Sequence, residues 1–201
     1  MRLLGISGSL REGSHNTTLL RAAAAELPPE ASFVLFEELA AVPPYVEDHD
    51  GERAPPGAAA LRAAIEAADA ILIATPEYNS SVPGQLKNAL DWASRPLATN
   101  VLRGKPVVVL GASTGVFGAV WAQAELRKIL KAIGARVLED ELPVGQAHDA
   151  FADDGSLRDP RQRELLGDAI AWLVEAATPL AGASARLAGA SAASGTSRAV
   201  S

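Results

Sequence analysis

Short apolar runs alternate with amphipathic segments along this chain, and that alternation restricts the fold more than any other feature of the sequence. Each run has four to six residues, the length of a strand, and shows little polar alternation. Strands of this kind are typical of a parallel sheet that helices cover on both faces. The five runs lie at residues 2–6, 32–36, 70–75, 106–110 and 135–138.

Helical periodicity fills the segments between these runs. Apolar residues recur at spacings of three and four, for example at Leu61, Ala64, Ile65 and Ala68, which places them on one face of a helix. A strand followed by a helix, five times over, predicts an α/β fold. We predict a flavodoxin-like three-layer sandwich, with a five-stranded parallel sheet in the order 2-1-3-4-5 and helices on both faces.

The composition limits the chemistry that the chain's own side chains can perform. The 201 residues include three histidines and no cysteine, which excludes disulfides, thiol nucleophiles and cysteine-ligated metal centres. A net charge of −6 argues against a nucleic-acid partner, and the uncharged run 106–124 holds three glycines, which favours a loop over a membrane span. We expect a cytoplasmic protein with no nucleic-acid or membrane partner. If it is an enzyme, its reactive group is expected to be a cofactor.

Two segments lack both periodic patterns. Residues 42–57 contain four prolines and two glycines among many acids, and we interpret them as a long loop. Residues 179–201 are almost entirely alanine, serine, glycine and threonine, which is typical of a solvated, mobile tail. The chain is therefore predicted to form one domain over residues 1–178, followed by a tail over residues 179–201.

Ligands of open α/β sheets bind beyond the carboxyl ends of the strands, and this strand order places the loops after strands one, three and four there. The first loop offers hydroxyls and one arginine directly before a helix, whose N-terminus attracts a phosphate. It lacks both the lysine of a triphosphate-binding loop and the G-x-G-x-x-G pattern, which leaves a cofactor with a single phosphate. The candidate ligands are Ser9, Arg11, Ser14, Asn16 and Thr17, although Ser14 or Asn16 alone is more typical of a helix N-cap.

The loops after strands three and four complete the candidate site. Pro76 and Pro83 stiffen the loop after strand three, so that its main-chain amides and Tyr78 can contact a flat ring; an ordinary turn is the alternative. Glu77 is a candidate general base, but no partner residue is visible near it. Small residues over 111–118 allow a ligand to approach the backbone closely, or equally a helix to pack there.

Three motifs fall on these loops in order. The first is Gly8-Ser9-Leu10-Arg11 with Ser14 and Asn16. The second runs nearly unbroken from Thr75-Pro76-Glu77-Tyr78-Asn79 to Arg95-Pro96, and the third is Gly111-Ala112-Ser113-Thr114-Gly115 with Gly118. Together they resemble the NAD(P)H-dependent FMN reductase family, which includes chromate- and quinone-reducing flavoproteins. The resemblance runs from about residue 3 to about residue 174, and the acidic loop at 45–57 and the segment after 179 depart from it.

The resemblance implies a single, noncovalently bound FMN, with NAD(P)H as the co-substrate. The five candidate ligands of the first loop would hold the phosphate. Ser113 and Gly115 would approach the ribityl chain or the pyrimidine side of the ring. The isoalloxazine ring would be lined, largely through main chain, by Pro76, Glu77, Tyr78 and Asn79.

The resemblance also implies an oxidoreductase. A hydride would pass from NAD(P)H to the flavin, and a quinone, chromate, an azo compound or free flavin would then take two electrons. Because the cofactor supplies the reactivity, we assign no catalytic residue and no metal ligand. A homodimer or homotetramer is implied, with the flavin near the interface. The alternatives are a flavodoxin-type electron carrier, which typically has a hydroxyl-rich phosphate loop without arginine, and a slow-turnover flavin sensor.

Overall fold

A parallel sheet forms the centre of the computed structural model, which describes residues 1–193. The strands are β1 (Arg2–Ser7), β2 (Ser32–Phe36), β3 (Ala70–Thr75), β4 (Pro106–Ala112), β5 (Arg136–Val137) and β6 (Pro143–Val144). Their order is β2-β1-β3-β4-β5, as the sequence predicts, and the short sixth strand pairs in parallel with the end of β4. The sixth strand was not predicted, because two residues are too few to produce a periodic pattern.

Helices cover both faces of this sheet, which confirms the predicted three layers. They are α1 (His15–Ala25), α2 (Pro56–Glu66), α3 (Gly84–Ala93), α4 (Val120–Ile133) and α5 (Pro160–Ala193). Alternate residues of β3 pack into different cores: Ile71 and Ile73 contact the core under α2, α3 and α4, whereas Leu72 contacts the core under α1 and α5. All six residues of β3 are consequently buried.

The acidic segment before α2 is more ordered than a plain loop. Three single turns of 3₁₀ helix interrupt it, at Leu39–Ala41, Glu47–His49 and Gly51–Arg53. Side chains of α3 hold it in place: the indole N–H of Trp92 donates to the carbonyl oxygen of Pro43 at 2.8 Å. The prediction of a long irregular loop is right for most of residues 42–57, although α2 already begins at Pro56.

The final helix continues through residue 193, past the point where the sequence predicts a tail. Residues 194–201 of that predicted tail lie outside the described residues. The division into a domain and a mobile tail stays a prediction. Within residues 1–193, no helix combines the length and the apolar character that a membrane crossing requires.

The carboxyl ends of β1, β3 and β4 meet at one edge of the sheet. Ser7 pairs with Ala74, and Thr75 pairs with Gly111, so the three strands end nearly level. The segments that follow them are called here the first loop (residues 8–14), the second loop (76–83) and the third loop (113–119). The fold thus brings together three loops that lie far apart in the sequence.

Candidate functional site

Ser14 ends the first loop and caps helix α1. Its backbone is extended, and its hydroxyl oxygen accepts hydrogen bonds from the N–H groups of Asn16 at 3.2 Å and Thr17 at 3.4 Å. This is the N-cap arrangement that the sequence analysis named as the alternative for Ser14. The Ser14 hydroxyl can still donate its own proton to an anion at the helix N-terminus.

Asn16 connects the start of α1 to the end of β4. The side chain is buried; its amide nitrogen donates to the carbonyl oxygen of Ala112 at 3.0 Å, and its amide oxygen accepts from the N–H of the same residue at 2.9 Å. Sequence reasoning missed this contact because the two residues are 96 positions apart. The predicted phosphate contact of Asn16 stays a prediction, and one N–H of its amide remains for it.

Arg11 lies exposed on the first loop. Its guanidinium donates to the carbonyl oxygen of Gly13 at 2.9 Å, and none of the ion pairs within the described part of the chain includes it. Four of its five N–H donors are therefore available to a ligand. Thr17 closes the base of the loop, because its hydroxyl donates to the hydroxyl oxygen of Ser7 at 3.0 Å. Ser7 is not among the residues predicted from the sequence.

The second loop ends in a tight reversal of the chain. The N–H and C=O groups of Tyr78 and Ser81 form two hydrogen bonds, at 3.0 and 3.1 Å. Asn79 and Ser80 between them have φ angles of 53° and 60°, the left-handed region that a type I′ turn requires. Residues other than glycine adopt it at a cost, so this turn is a strained feature at the edge of the site. Tyr78 is 53% exposed.

The carboxylate of Glu77 is directed toward helix α4. One of its oxygens accepts from the N–H groups of Trp121 at 3.0 Å and Ala122 at 3.1 Å, in the first turn of that helix. A negative charge is favourable at this end of a helix. Glu77 therefore fixes the second loop to α4, a role that sequence reasoning missed because its partners are main-chain groups more than forty residues away.

The third loop is held from outside by the segment around β6. The N–H of Ser113 donates to the carbonyl oxygen of Val144 at 3.0 Å, and the carbonyl oxygen of Gly115 accepts from the N–H of Gln146 at 3.0 Å. A Cβ atom on Gly145 would collide with the carbonyl oxygen of Val116, so the two backbones require a glycine there. The sixth strand is thus what shapes this part of the site.

Residues of all three loops line one cavity of about 210 Å³, called here the inner cavity. Thr17 lines a neighbouring cavity instead, and Asn79 and Gly115 lie outside both. One side of this cavity offers hydroxyls, a guanidinium and a helix N-terminus, which suit an anionic group. The other side offers a rigid loop with a tyrosine, which suits a flat ring attached to that group. The predicted residues that line the inner cavity are Ser9, Arg11, Ser14, Asn16, Pro76, Glu77, Tyr78 and Ser113.

His15 also lines the inner cavity, although the sequence analysis gave it no role. Its ring lies parallel to that of Phe151, with 6.3 Å between the ring centres. Burial lowers the pKa of His15 below its ordinary value, and the nearby charges of Arg11 and His148 lower this pKa further. The imidazole is therefore neutral at neutral pH. Among the described residues, no three acidic or histidine side chains cluster as a metal site would require.

The family model for NADPH-dependent FMN reductases matches residues 1–149 of this chain. The chain belongs to that family. Membership confirms the resemblance noted in the sequence, and with it the interpretation of the chain as a flavin-dependent oxidoreductase.

Known proteins resemble this member of the FMN reductase family in sequence and in fold. The chain is 44% identical over 167 residues to the NAD(P)H-dependent FMN reductase PA1204 of Pseudomonas aeruginosa, and the alignment covers 83% of this chain and 89% of that protein. It is 40% identical over 139 residues to a quinone reductase of Escherichia coli, covering 69% and 73%. The solved structure of FerB from Paracoccus denitrificans, a flavoenzyme NAD(P)H:(acceptor) oxidoreductase, superimposes with a TM-score of 0.77 at 35% identity, covering 89% of this chain and 97% of FerB.

Proposed function

We propose that this chain binds one FMN noncovalently in the inner cavity and catalyses the reduction of quinones by NAD(P)H. The observation that carries the proposal is the convergence of the three family motifs on a single cavity. Its donors suit the cofactor: Arg11, Ser9 and the capped N-terminus of α1 can surround a phosphate, with Thr17 closing the loop behind them. The second and third loops then face the ring through Pro76, Glu77, Tyr78 and Ser113, which line the cavity. Asn79 and Gly115 belong to the same loops, and their contact with the flavin is proposed from the family resemblance.

The chemistry that bound FMN would supply is two-electron transfer: a reduced nicotinamide nucleotide gives a hydride, which is two electrons and one proton, and the acceptor takes these with a second proton from water. The chain itself binds and orients the reactants, and no side chain need form a covalent bond. Main-chain N–H groups of the second loop can stabilise negative charge that develops on the ring. Glu77 is engaged with α4, so its function here is to hold that loop in place.

A planar quinone is the acceptor that we favour. The quinone reductase of Escherichia coli, which is similar to this chain in sequence, has that activity in its name. Tyr78 is exposed beside the cavity and offers an aromatic surface on which a flat acceptor can stack. Chromate, azo compounds and free flavin are further acceptors to test. Because reduced nicotinamide nucleotides are cytoplasmic metabolites, we place the reaction in the cytoplasm.

We also propose that the protein is a homo-oligomer, a dimer or a tetramer. Three exposed apolar side chains lie in the third loop and the start of α4: Val116 is 73% exposed, Phe117 63% and Trp121 49%. The rings of Phe117 and Trp121 pack edge to face at 5.1 Å, yet about half or more of each side chain stays exposed. An apolar patch of this kind beside a ligand cavity is typical of a subunit interface, so a second copy would cover it close to the flavin.

The test begins with the purified protein and added FMN. We expect a yellow complex from which heat releases FMN. In the absence of oxygen, NADPH or NADH should bleach the intact complex, and benzoquinone should restore its colour. Failure to bind FMN would contradict the whole proposal. Binding without bleaching by either nucleotide would contradict the reductase activity and leave a carrier or sensor. Sedimentation of the complex measures the oligomeric state, and a monomer would contradict the proposed interface.

A further inference from the structure

A second cavity, of about 400 Å³, adjoins the inner cavity on the other side of the first loop. It is called here the outer cavity. Ser9, Arg11 and Ser14 line both cavities, so the first loop forms the wall between them. The outer cavity extends along α1 to the end of β2, away from the second and third loops. Residues assigned to the FMN phosphate line its edge at the first loop, but none of those assigned to the flavin ring does, so the part along α1 and β2 can take another ligand.

One wall of the outer cavity is apolar. Phe36 ends β2, Leu39 follows it in the first 3₁₀ turn, and Leu10 belongs to the first loop. Leu10 is 54% exposed, although it lies in a loop otherwise made of small and polar residues, whereas Phe36 is half-buried and Leu39 is buried. An exposed leucine and an aromatic ring in the same lining offer an apolar surface that suits a flat, uncharged base.

The other walls carry charges without ionic partners. Arg11 and Arg21 both line the outer cavity, and none of the ion pairs in the described part of the chain includes either. Arg21 follows Thr17 and Thr18 by four and three residues on α1, so the hydroxyls and the guanidinium share one face of the helix. Because Arg11 faces the FMN phosphate in the proposed function, Arg21 with the hydroxyl of Thr18 is the group left for the phosphate oxygens of a second ligand. Glu12, the neighbour of Arg11, also lines this cavity.

Glu37 completes the outer cavity, at the first position after β2. In dinucleotide-binding sheets an acidic residue near the end of the strand beside β1 accepts hydrogen bonds from ribose hydroxyls. In this chain β2 is also the neighbour of β1, which puts Glu37 at the equivalent end of the sheet. The outer cavity therefore offers an apolar surface for a base, an acceptor for a ribose and a guanidinium for phosphates.

We propose that the outer cavity binds the adenosine diphosphate half of the nicotinamide nucleotide, with Arg21 at its phosphates and Glu37 at its ribose. This inference rests on the proposed function, because the nicotinamide half must reach the flavin in the inner cavity. The two cavities meet at the first loop, so an extended dinucleotide seated in the outer cavity can reach across that loop to the flavin. Arg21 and Glu37 are then binding residues for the co-substrate and have no contact with FMN.

The test is a calorimetric titration of the FMN-loaded protein with adenosine diphosphate, a probe that has no nicotinamide. FMN fills the phosphate site of the first loop, so the probe cannot report on that site. We expect Arg21→Gln to weaken binding about tenfold or more, as the loss of a charge-assisted hydrogen bond to phosphate does. Glu37→Ala should weaken it severalfold. The matched controls are Arg161→Gln on the exposed start of α5 and Glu38→Ala, the exposed neighbour of Glu37, and both should bind the probe like the wild type.

The visible spectrum and bleaching by NADH and by NADPH are recorded on the same preparations, which separates this inference from the proposed function. A holoenzyme that is bleached normally but does not bind the probe overturns the outer cavity as a nucleotide site. Equal weakening by Arg21→Gln and Arg161→Gln, or equal binding of inorganic phosphate and the probe, overturns it as well. If no FMN complex forms, both proposals fail. Unchanged FMN content in Arg21→Gln and Glu37→Ala verifies that each variant is folded.

Discussion

The side chain of Asn16 and the main chain of Ala112 exchange two hydrogen bonds, of 3.0 and 2.9 Å, across the carboxyl edge of the sheet. They join the first turn of α1, where a phosphate would bind, to the last residue of β4, where the third loop begins. The position of the first loop relative to the third thus depends on one buried amide.

Asn16→Ala is therefore expected to destabilise the protein and to weaken FMN binding together. It leaves the N–H and C=O groups of Ala112 unpaired in a buried place, at a cost of about 2–4 kcal/mol in the free energy of unfolding. Urea unfolding of the apoprotein measures that cost. Thr18→Ala is the control, since the Thr18 hydroxyl bonds only to the Ser14 carbonyl in the same helix. An equal loss in both variants would contradict the role of Asn16.

Glu77 provides a second link between elements of the site. Its substitution distinguishes a residue that holds the second loop against α4 from one that acts as a general base. Glu77→Gln keeps an oxygen that accepts from Trp121 and Ala122 but removes the charge at the helix N-terminus, and we expect a loss of less than about 1 kcal/mol in stability. Quinone reduction should continue at a similar rate. If Glu77 were a general base, Gln would abolish turnover while leaving FMN bound, which a steady-state assay of NADPH oxidation detects.

The features of this molecule that could be predicted from the sequence depend on residues that are close together in the chain. The run 70–75 predicts a doubly buried strand, and β3 has those bounds, because continuous apolar residues reflect cover on both faces. The first loop was recognised because its hydroxyls, arginine and helix start are adjacent in the chain. Each of these inferences needs only neighbouring residues.

The parts that were missed depend on contacts between distant segments. Pro143 and Val144 form a strand only because the end of β4 offers them a partner. Ser14 and Asn16 read alike as helix caps in sequence, yet one caps the helix and the other reaches β4. Glu77 has no local partner, and its actual partners are main-chain N–H groups, which no sequence pattern marks.

The lowered pKa of His15 predicts a pH dependence of stability. Burial is its main cause, followed by Arg11 and His148, so the folded protein resists protonation of this ring. As the pH falls below about 6.5, the ordinary pKa of histidine, the unfolded chain binds the proton first, and stability is lost until the pH passes the folded pKa. Urea midpoints at pH 7.5 and 5.5 should therefore differ more in the wild type than in His15→Gln. Equal shifts would mean that His15 is not the group responsible.

Gly145 tests how far the third loop depends on its support. A Cβ atom there has no room beside the main chain of Val116, so Gly145→Ala must move one of the two segments. We expect a loss of about 1–3 kcal/mol in stability, and weaker FMN binding because Ser113 moves with the segment. Gly167→Ala is the control, since its added Cβ in α5 would meet nothing within 4 Å apart from its chain neighbours and the backbone of its own helix, and alanine there should stabilise by about 0.5–1 kcal/mol. If both variants gain stability, the contact between the segments is looser than described.

Arg11→Ala is the most direct test of the proposed phosphate site. The guanidinium is exposed and makes a single hydrogen bond to Gly13, so its removal should cost the fold little. We expect FMN binding to weaken by about 1.5–3 kcal/mol, the scale of a charge-assisted hydrogen bond, as measured by quenching of flavin fluorescence. Arg11→Lys should fall between the alanine variant and the wild type, because it keeps the charge and loses the planar fork. Arg161→Ala removes an exposed arginine outside the cavities and should leave the affinity unchanged. If Arg11→Ala binds FMN as tightly as that control, the phosphate is held by the helix N-terminus and the serines without the arginine.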